Sequence, residues 1–173
     1  CISVHGANRL GGNSLLDTVL FGKRAGERAA QVVKESKTIG TRNEKAAQAA
    51  LERARKVYAG LVAGSGKEDP NQIRDEMRQM MFDMVGVFRE QGKMVQGIRK
   101  IAELSERYRR LRPCYGGKKF NWDLLRTFEL GGQLLVAEII AKGALARQES
   151  RGSHYRLDYP TRDDTNWLKH TIA

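Results

Sequence analysis

Apolar side chains recur every three to four positions along this chain, run after run, and glycine, proline or asparagine separates one run from the next. That punctuation points to helices joined by short connections and leaves little of the strict alternation a sheet needs. Leu15, Leu16, Val19, Leu20 and Ala25 predict a helix from about Asp17 to Glu35, with residues 1–16 read as loop and strand remnant. Ala47, Ala50, Leu51, Ala54, Val57, Tyr58 and Leu61 predict a second over 43–63, closed by Gly64-Ser65-Gly66. Asp69-Pro70 is a start signal, an N-cap acid followed by proline at the first helical position, and Ile73, Met77, Met80 and Met84 line one face of the helix behind it. Methionine at that spacing fills a core. After a break at Gly86 and Gly92, Met94, Ile98, Ile101, Leu104, Tyr108 and Leu111 define a fourth helix that closes at Pro113 and Gly116-Gly117. Arg107, Arg109, Arg110 and Arg112 cluster at its end, where the helix dipole favours cations. Asn121 caps the last long helix, in which Leu124, Leu125, Phe128, Leu135, Ile139, Ile140 and Ala144 are expected to face inward at the centre of the group. Beyond Ser150 the helical period stops, and residues 151–173 read as an extended arm that packs on something other than the helices. The expected fold is mainly α, an antiparallel helical bundle with extended ends.

A chain of 173 residues buries enough surface for one domain with flanking segments. No apolar run approaches the roughly 20 residues of a membrane span. Cys1 and Cys114 are too few and too far apart for a disulfide framework or a metal cluster, which fits a reducing, cytosol-facing environment. The net charge of +11 raises the question of nucleic acid, but acids are interleaved throughout and no basic tail or basic-aromatic cluster stands out. A positive potential that draws in dicarboxylates, or a face that docks an acidic partner, suits this distribution better.

The stretch from His5 to Asp17 carries the site chemistry. Gly11-Gly12 lets backbone approach a ligand closely, and Asn13 and Ser14 stand where a helix begins, with unpaired N–H groups and the positive end of a dipole. Such an edge suits an anionic or carbonyl-rich ligand. Arg9, five positions before Ser14, has a guanidinium fork that can clasp a carboxylate.

The string Ser3-Val4-His5-Gly6-Ala7-Asn8-Arg9-Leu10-Gly11-Gly12-Asn13-Ser14-Leu15-Leu16-Asp17, with Val19-Leu20-Phe21-Gly22 behind it, resembles the flavoprotein subunit of succinate dehydrogenase and fumarate reductase. Glu149-Ser150-Arg151-Gly152-Ser153-His154-Tyr155-Arg156-Leu157-Asp158-Tyr159-Pro160, then Arg162-Asp163-Asp164 and Asn166-Trp167-Leu168-Lys169-His170-Thr171, is similar to the closing segment of the same family. The whole chain is covered, as the C-terminal part of such a subunit. It carries no G-x-G-x-x-G dinucleotide motif, which the family places near its own N-terminus.

The resemblance implies three parts: residues 1–40 as the end of the FAD-binding domain with its substrate loop, 41–150 as a helical domain, and 151–173 as the arm. It implies FAD as cofactor, with most of the FAD site upstream of this chain, and a dicarboxylate, succinate or fumarate, as substrate. Arg9 matches the family arginine that binds a substrate carboxylate. Ser14 and Leu15 match positions that contact FAD through side chain and backbone, with Gly11, Gly12 and Asn13 shaping the approach. No catalytic residue is assigned within the chain, because the family's substrate histidines and proton-shuttling arginine lie upstream. His5 is then a structural hydrogen-bonding residue, and His154 and His170 lack the spacing for a metal site. The implied partners are the remainder of the flavoprotein and an iron–sulfur subunit, which would hold the protein on the inner face of a membrane. Alone, the chain is expected to be colourless and inactive, with the arm mobile or borrowed by a neighbouring molecule. L-aspartate oxidase shares part of both motifs but departs at Gly11-Gly12 and at Arg162-Asp163-Asp164-x-Asn166-Trp167. A thiol-dependent fumarate reductase and a non-catalytic docking domain for an iron–sulfur subunit are further alternatives.

Overall fold

The computed structural model describes residues 11–36, 43–112, 114, 117 and 119–172. The chain divides into two compact units, 1–51 and 52–173, and the division falls within a helix.

In the first unit α1 spans Asn13–Glu35, four residues longer at its start than the periodicity predicts. Gly12 is its N-cap, with φ 75° and ψ −27° in the left-handed region, and glycine reaches that conformation without steric cost. The helix therefore starts directly after the glycine pair and not one turn later at Asp17. The second helix, α2 (Glu44–Ala63), starts where expected: the Asn43 side chain accepts from the Ala46 N–H at 3.0 Å.

Three helices build the core of the second unit. α3 (Pro70–Val85) begins behind Asp69, whose carboxylate accepts from the Asn71 N–H at 2.9 Å. α4 (Gln91–Tyr108) and α5 (Trp122–Ala146) follow, the latter capped by Asn121 accepting from the Leu124 N–H. Side-chain ties fix their directions. Arg107 at the end of α4 binds Glu68 and Glu76 at the start of α3, and Tyr108 donates to the Thr127 carbonyl near the start of α5, so α4 runs antiparallel to both neighbours. Arg74 donates to the Arg126 carbonyl and ties the starts of α3 and α5 together. Ile73, Met77 and Met80 of α3, Met94, Ile101 and Leu104 of α4 and Leu130 and Leu134 of α5 form the buried centre, so the methionine face is core as predicted.

Two expectations for the helices of this unit fail. α4 ends at Tyr108, and Leu111 instead forms an isolated parallel bridge with Glu68. On α5 the buried face is Thr127, Leu130, Leu134, Ala137, Ala141 and Ala144, whereas Leu125, Phe128, Leu135, Ile139 and Ile140 are exposed in this chain and Leu124 is half-buried. α5 is apolar around most of its circumference, so periodicity could not select a face. Close packing selected the small residues: a Cβ at Gly131 would stand 2.9 Å from the Tyr108 hydroxyl.

The arm is also corrected. It folds back on the helices of its own unit: β2 (Tyr155–Arg156) pairs in parallel with β1 (Phe88–Arg89), and a short helix, α6 (Asp164–Trp167), follows. The reason is electrostatic. Buried Glu149, His154 and Arg156 need charge and hydrogen-bond partners, and the helix ends of this unit supply them.

Candidate functional site

Arg9 and His5 lie outside the described residues. Gly11 and Gly12 are exposed, and among the described residues nothing stands within 4 Å of a Cβ built on either. The Asn13 N–H donates to the Gly11 carbonyl at 2.9 Å. Ser14 and Leu15 occupy the second and third helical positions, whose N–H groups have no acceptor within an α-helix. An N-cap side chain would normally serve them, and Gly12 has none. No acidic residue lies in this first turn to offset the positive end of the α1 dipole. Ser14 is half-buried and Leu15 is 79% exposed. The donors, the left-handed turn and the open glycines fit a polar, electron-rich edge of a cofactor such as a flavin.

The second arrangement gathers around the C-terminus of α5. The Arg156 side chain is fully buried; its Nη1 donates to the carbonyls of Ala144 (3.2 Å), Leu145 (3.0 Å) and Arg147 (2.9 Å). Those oxygens are the unsatisfied acceptors at the negative end of the helix. Nε and Nη2 hold Asp158 in two parallel bonds of 2.7 Å, and the guanidinium lies 4.9 Å from the centre of the Tyr159 ring. Asp158 in turn accepts from the Gln91 N–H at 3.1 Å, at the positive end of α4. The Arg156 guanidinium beside it holds the Asp158 carboxyl down at about 2.

Glu149 is fully buried and accepts from Arg151, Arg147 and the Asp163 N–H. Arg151 is the main reason its carboxyl is lowered to about 2, against the opposing effect of burial. His154 joins the two groups. Arg89 Nη1 lies 2.6 Å from His154 Nδ1, and a guanidinium only donates, so Nδ1 is the acceptor. Nε2 then carries the hydrogen and faces the Arg147 carbonyl at 3.3 Å. The ring is neutral: burial lowers its pKa, and the charges of Arg89, Arg156 and Arg147 act in the same direction. Arg89 itself donates through Nε to the Val85 and Gly86 carbonyls at the end of α3. The arm thus closes helix ends of α4 and α5, and its His154 meets the Arg89 side chain that closes the end of α3. Among the described residues no group of His, Cys, Asp and Glu is arranged to hold a metal ion.

Residues 74–173, more than half of the chain, match the family described as fumarate reductase flavoprotein C-term. The chain belongs to that family. It is 47% identical over 173 residues to the fumarate reductase flavoprotein subunit of Haemophilus influenzae, covering 98% of this chain and 28% of that protein. It is 40% identical to the succinate dehydrogenase flavoprotein subunit of Coxiella burnetii, covering 99% of this chain and 29% of that protein. Among solved structures, Escherichia coli quinol fumarate reductase superposes with a TM-score of 0.84 at 44% identity, over 93% of this chain and 27% of that one. Mycobacterium smegmatis Sdh1 superposes at 0.77 with 38% identity, over 92% and 26%. The chain therefore spans less than a third of the length of these flavoprotein relatives.

Arg89, Arg147, Glu149, His154, Arg156 and Asp158 were missed as a linked group. The signal was present in the alternation of Arg with Glu and Asp over 147–164, a density of opposite charge that a solvated tail does not need.

Proposed function

We propose that this chain is the C-terminal part of an FAD-dependent flavoprotein subunit that interconverts succinate and fumarate. Residues 1–40 would complete its FAD-binding domain, 41–150 would form its helical domain and 151–173 the arm. Similarity along nearly the whole chain to flavoprotein subunits of both fumarate reductase and succinate dehydrogenase carries this function. Bound FAD would supply or take up the hydride exchanged with the dicarboxylate. Ser14 and Leu15 would hold the flavin through N–H groups in the first turn of α1, and the Gly11-Gly12 turn would let the backbone come close. Arg9 would clasp one substrate carboxylate in a bidentate pair, fixing the carbon to be oxidised or reduced. The dicarboxylate, the remainder of the flavoprotein and an iron–sulfur subunit are the partners this function requires, and it would place the protein at the inner face of a membrane through those partners. No helix among the described residues is long and apolar enough to cross one.

The test is a graft. This chain replaces the matching part of the Haemophilus influenzae subunit, and the chimera is assayed for FAD content and for fumarate reduction with a dye donor. A folded chimera that binds FAD and reduces fumarate is expected. A chimera that melts cooperatively yet lacks FAD, or holds FAD without fumarate turnover, overturns the proposal.

A further inference from the structure

A groove of about 680 Å³ lies between the C-terminal half of α2, the loop 64–68 and the segment 108–111, all within the second unit. Its floor is apolar: Leu61 and Leu111 are buried and Tyr108 is partly so, and Val57 adds an exposed apolar side chain to the lining. Its rim is cationic. Lys56, Lys67, Arg109 and Arg110 are exposed there. The one acid in the lining, Glu68, is committed to Arg107 at 2.9 Å, and Arg109 is held by Glu106 at 2.8 Å. Lys56, Lys67 and Arg110 make no ion pair among the described residues.

Backbone hydrogen bonds tie the walls of the groove to one another. The Glu68 N–H donates to the Arg110 carbonyl at 3.2 Å and the Arg112 N–H to the Glu68 carbonyl at 3.0 Å, which locks the loop to the segment after α4. A Cβ on Gly66 would fall 1.8 Å from the Arg110 carbonyl oxygen, so only glycine permits this approach. The Cys114 N–H donates to the Leu61 carbonyl and ties the end of α2 to the same segment. Pre-formed apolar concavities with a few polar groups at the edge are where ligands seat, and unpaired cations select the sign of what enters.

We propose that this groove docks an acidic peptide segment of a partner protein, with one bulky apolar side chain on the Leu61–Leu111 floor and carboxylates at Lys56, Lys67 and Arg110. The proposal does not depend on the catalytic function above. A bilayer surface is a poorer match, because an anionic plane reaches the rim but leaves the recessed floor empty. A solvated cationic face would lack the apolar floor.

Fluorescence anisotropy of a labelled ten-residue peptide, eight Asp and Glu around a central Leu-Phe pair, tests this on the full chain. Binding is expected to be saturable, to weaken at least fivefold when Leu-Phe becomes Ser-Ser, and to weaken at least tenfold in the Lys67→Glu/Arg110→Glu double variant. The Lys93→Glu/Lys142→Glu variant, with the same charge change outside the groove, should bind as the wild type does. Thermal melts confirm that each variant folds. The proposal is overturned if both double variants weaken binding equally, if the Ser-Ser peptide binds as tightly as Leu-Phe, or if phosphatidylglycerol-containing vesicles are retained and the peptide is not.

Discussion

Arg156 and Asp158 meet through two hydrogen bonds of 2.7 Å, and each also closes the end of a different helix, Arg156 that of α5 and Asp158 that of α4. The pair works as a clamp between opposite helix poles, a negative end met by a cation and a positive end met by an anion. Its position explains why the arm is part of the helical unit.

Removing one half of that clamp is the first prediction. Arg156→Ala strands the Asp158 carboxylate and three α5 carbonyls, and loss of one partner of a buried pair costs about 3–5 kcal/mol. Arg156→Lys keeps the charge but cannot make two parallel bonds to Asp158 and also reach the carbonyls, so it should recover only part of the loss. Urea unfolding of the chain checks both, and an Arg156→Ala midpoint equal to wild type would contradict the clamp.

Acid should unfold the chain in two stages. His154 is held neutral below its ordinary value of 6.5, so the unfolded state takes up the proton first and stability falls as pH drops below about 6.5. Glu149 and Asp158 are both lowered to about 2 from 4.5 and 3.8, so their contribution is complete above those ordinary values and is lost as pH falls toward 2. His154→Gln should flatten the upper stage and leave the lower one. Stability against pH, measured from pH 8 to pH 2, reads both; an unchanged upper stage in His154→Gln would remove the histidine from the account.

Helix starts were the most legible feature of this sequence, because a cap is a local device: Asn43, Asp69 and Asn121 each serve the helix their residue type announces. The start of α1 at Asn13 agrees with the reading of Asn13 and Ser14 as the beginning of a helix, and differs from the periodicity start near Asp17 because a left-handed glycine replaces the side-chain cap. The buried face of α5 was not legible, since a helix apolar on most sides encodes burial but not orientation. Arg107 was read as dipole charge, whereas its partners Glu68 and Glu76 are distant in sequence and close only after α3 and α4 pack. The acidic partners of Arg151 and Arg156 were in plain view nearby, but which helix ends they would close depended on the tertiary fold.

The corrected face of α5 gives a third prediction. Leu134→Ala opens a cavity in the core that also holds Leu104 and Ile101 and should cost about 2–5 kcal/mol. Leu135→Gln and Ile139→Gln, on the exposed side, should each stay within about 0.5 kcal/mol of wild type. Chemical unfolding of the three variants decides the orientation, and the reverse order would restore the face predicted from periodicity.

The last prediction separates cofactor from substrate at the start of α1, and it is made in the active chimera. Gly12 holds φ 75°, and a β-branched side chain in that region costs about 1–2 kcal/mol and crowds the open turn. Gly12→Val should therefore lower the ratio of FAD to protein, with activity falling in proportion to the flavin lost. Arg9→Lys acts differently, keeping the charge and the turn while losing the fork. FAD content should stay near wild type, but kcat and kcat/KM should both drop, by an amount on the order of 2–4 kcal/mol or roughly 30- to 1000-fold. Steady-state kinetics with succinate and with fumarate, each beside a flavin measurement, read the two variants independently. Full turnover in Arg9→Lys would remove the arginine from the substrate, an apoprotein would reassign it to the flavin, and normal FAD binding in Gly12→Val would show that the left-handed turn shapes the helix and nothing more.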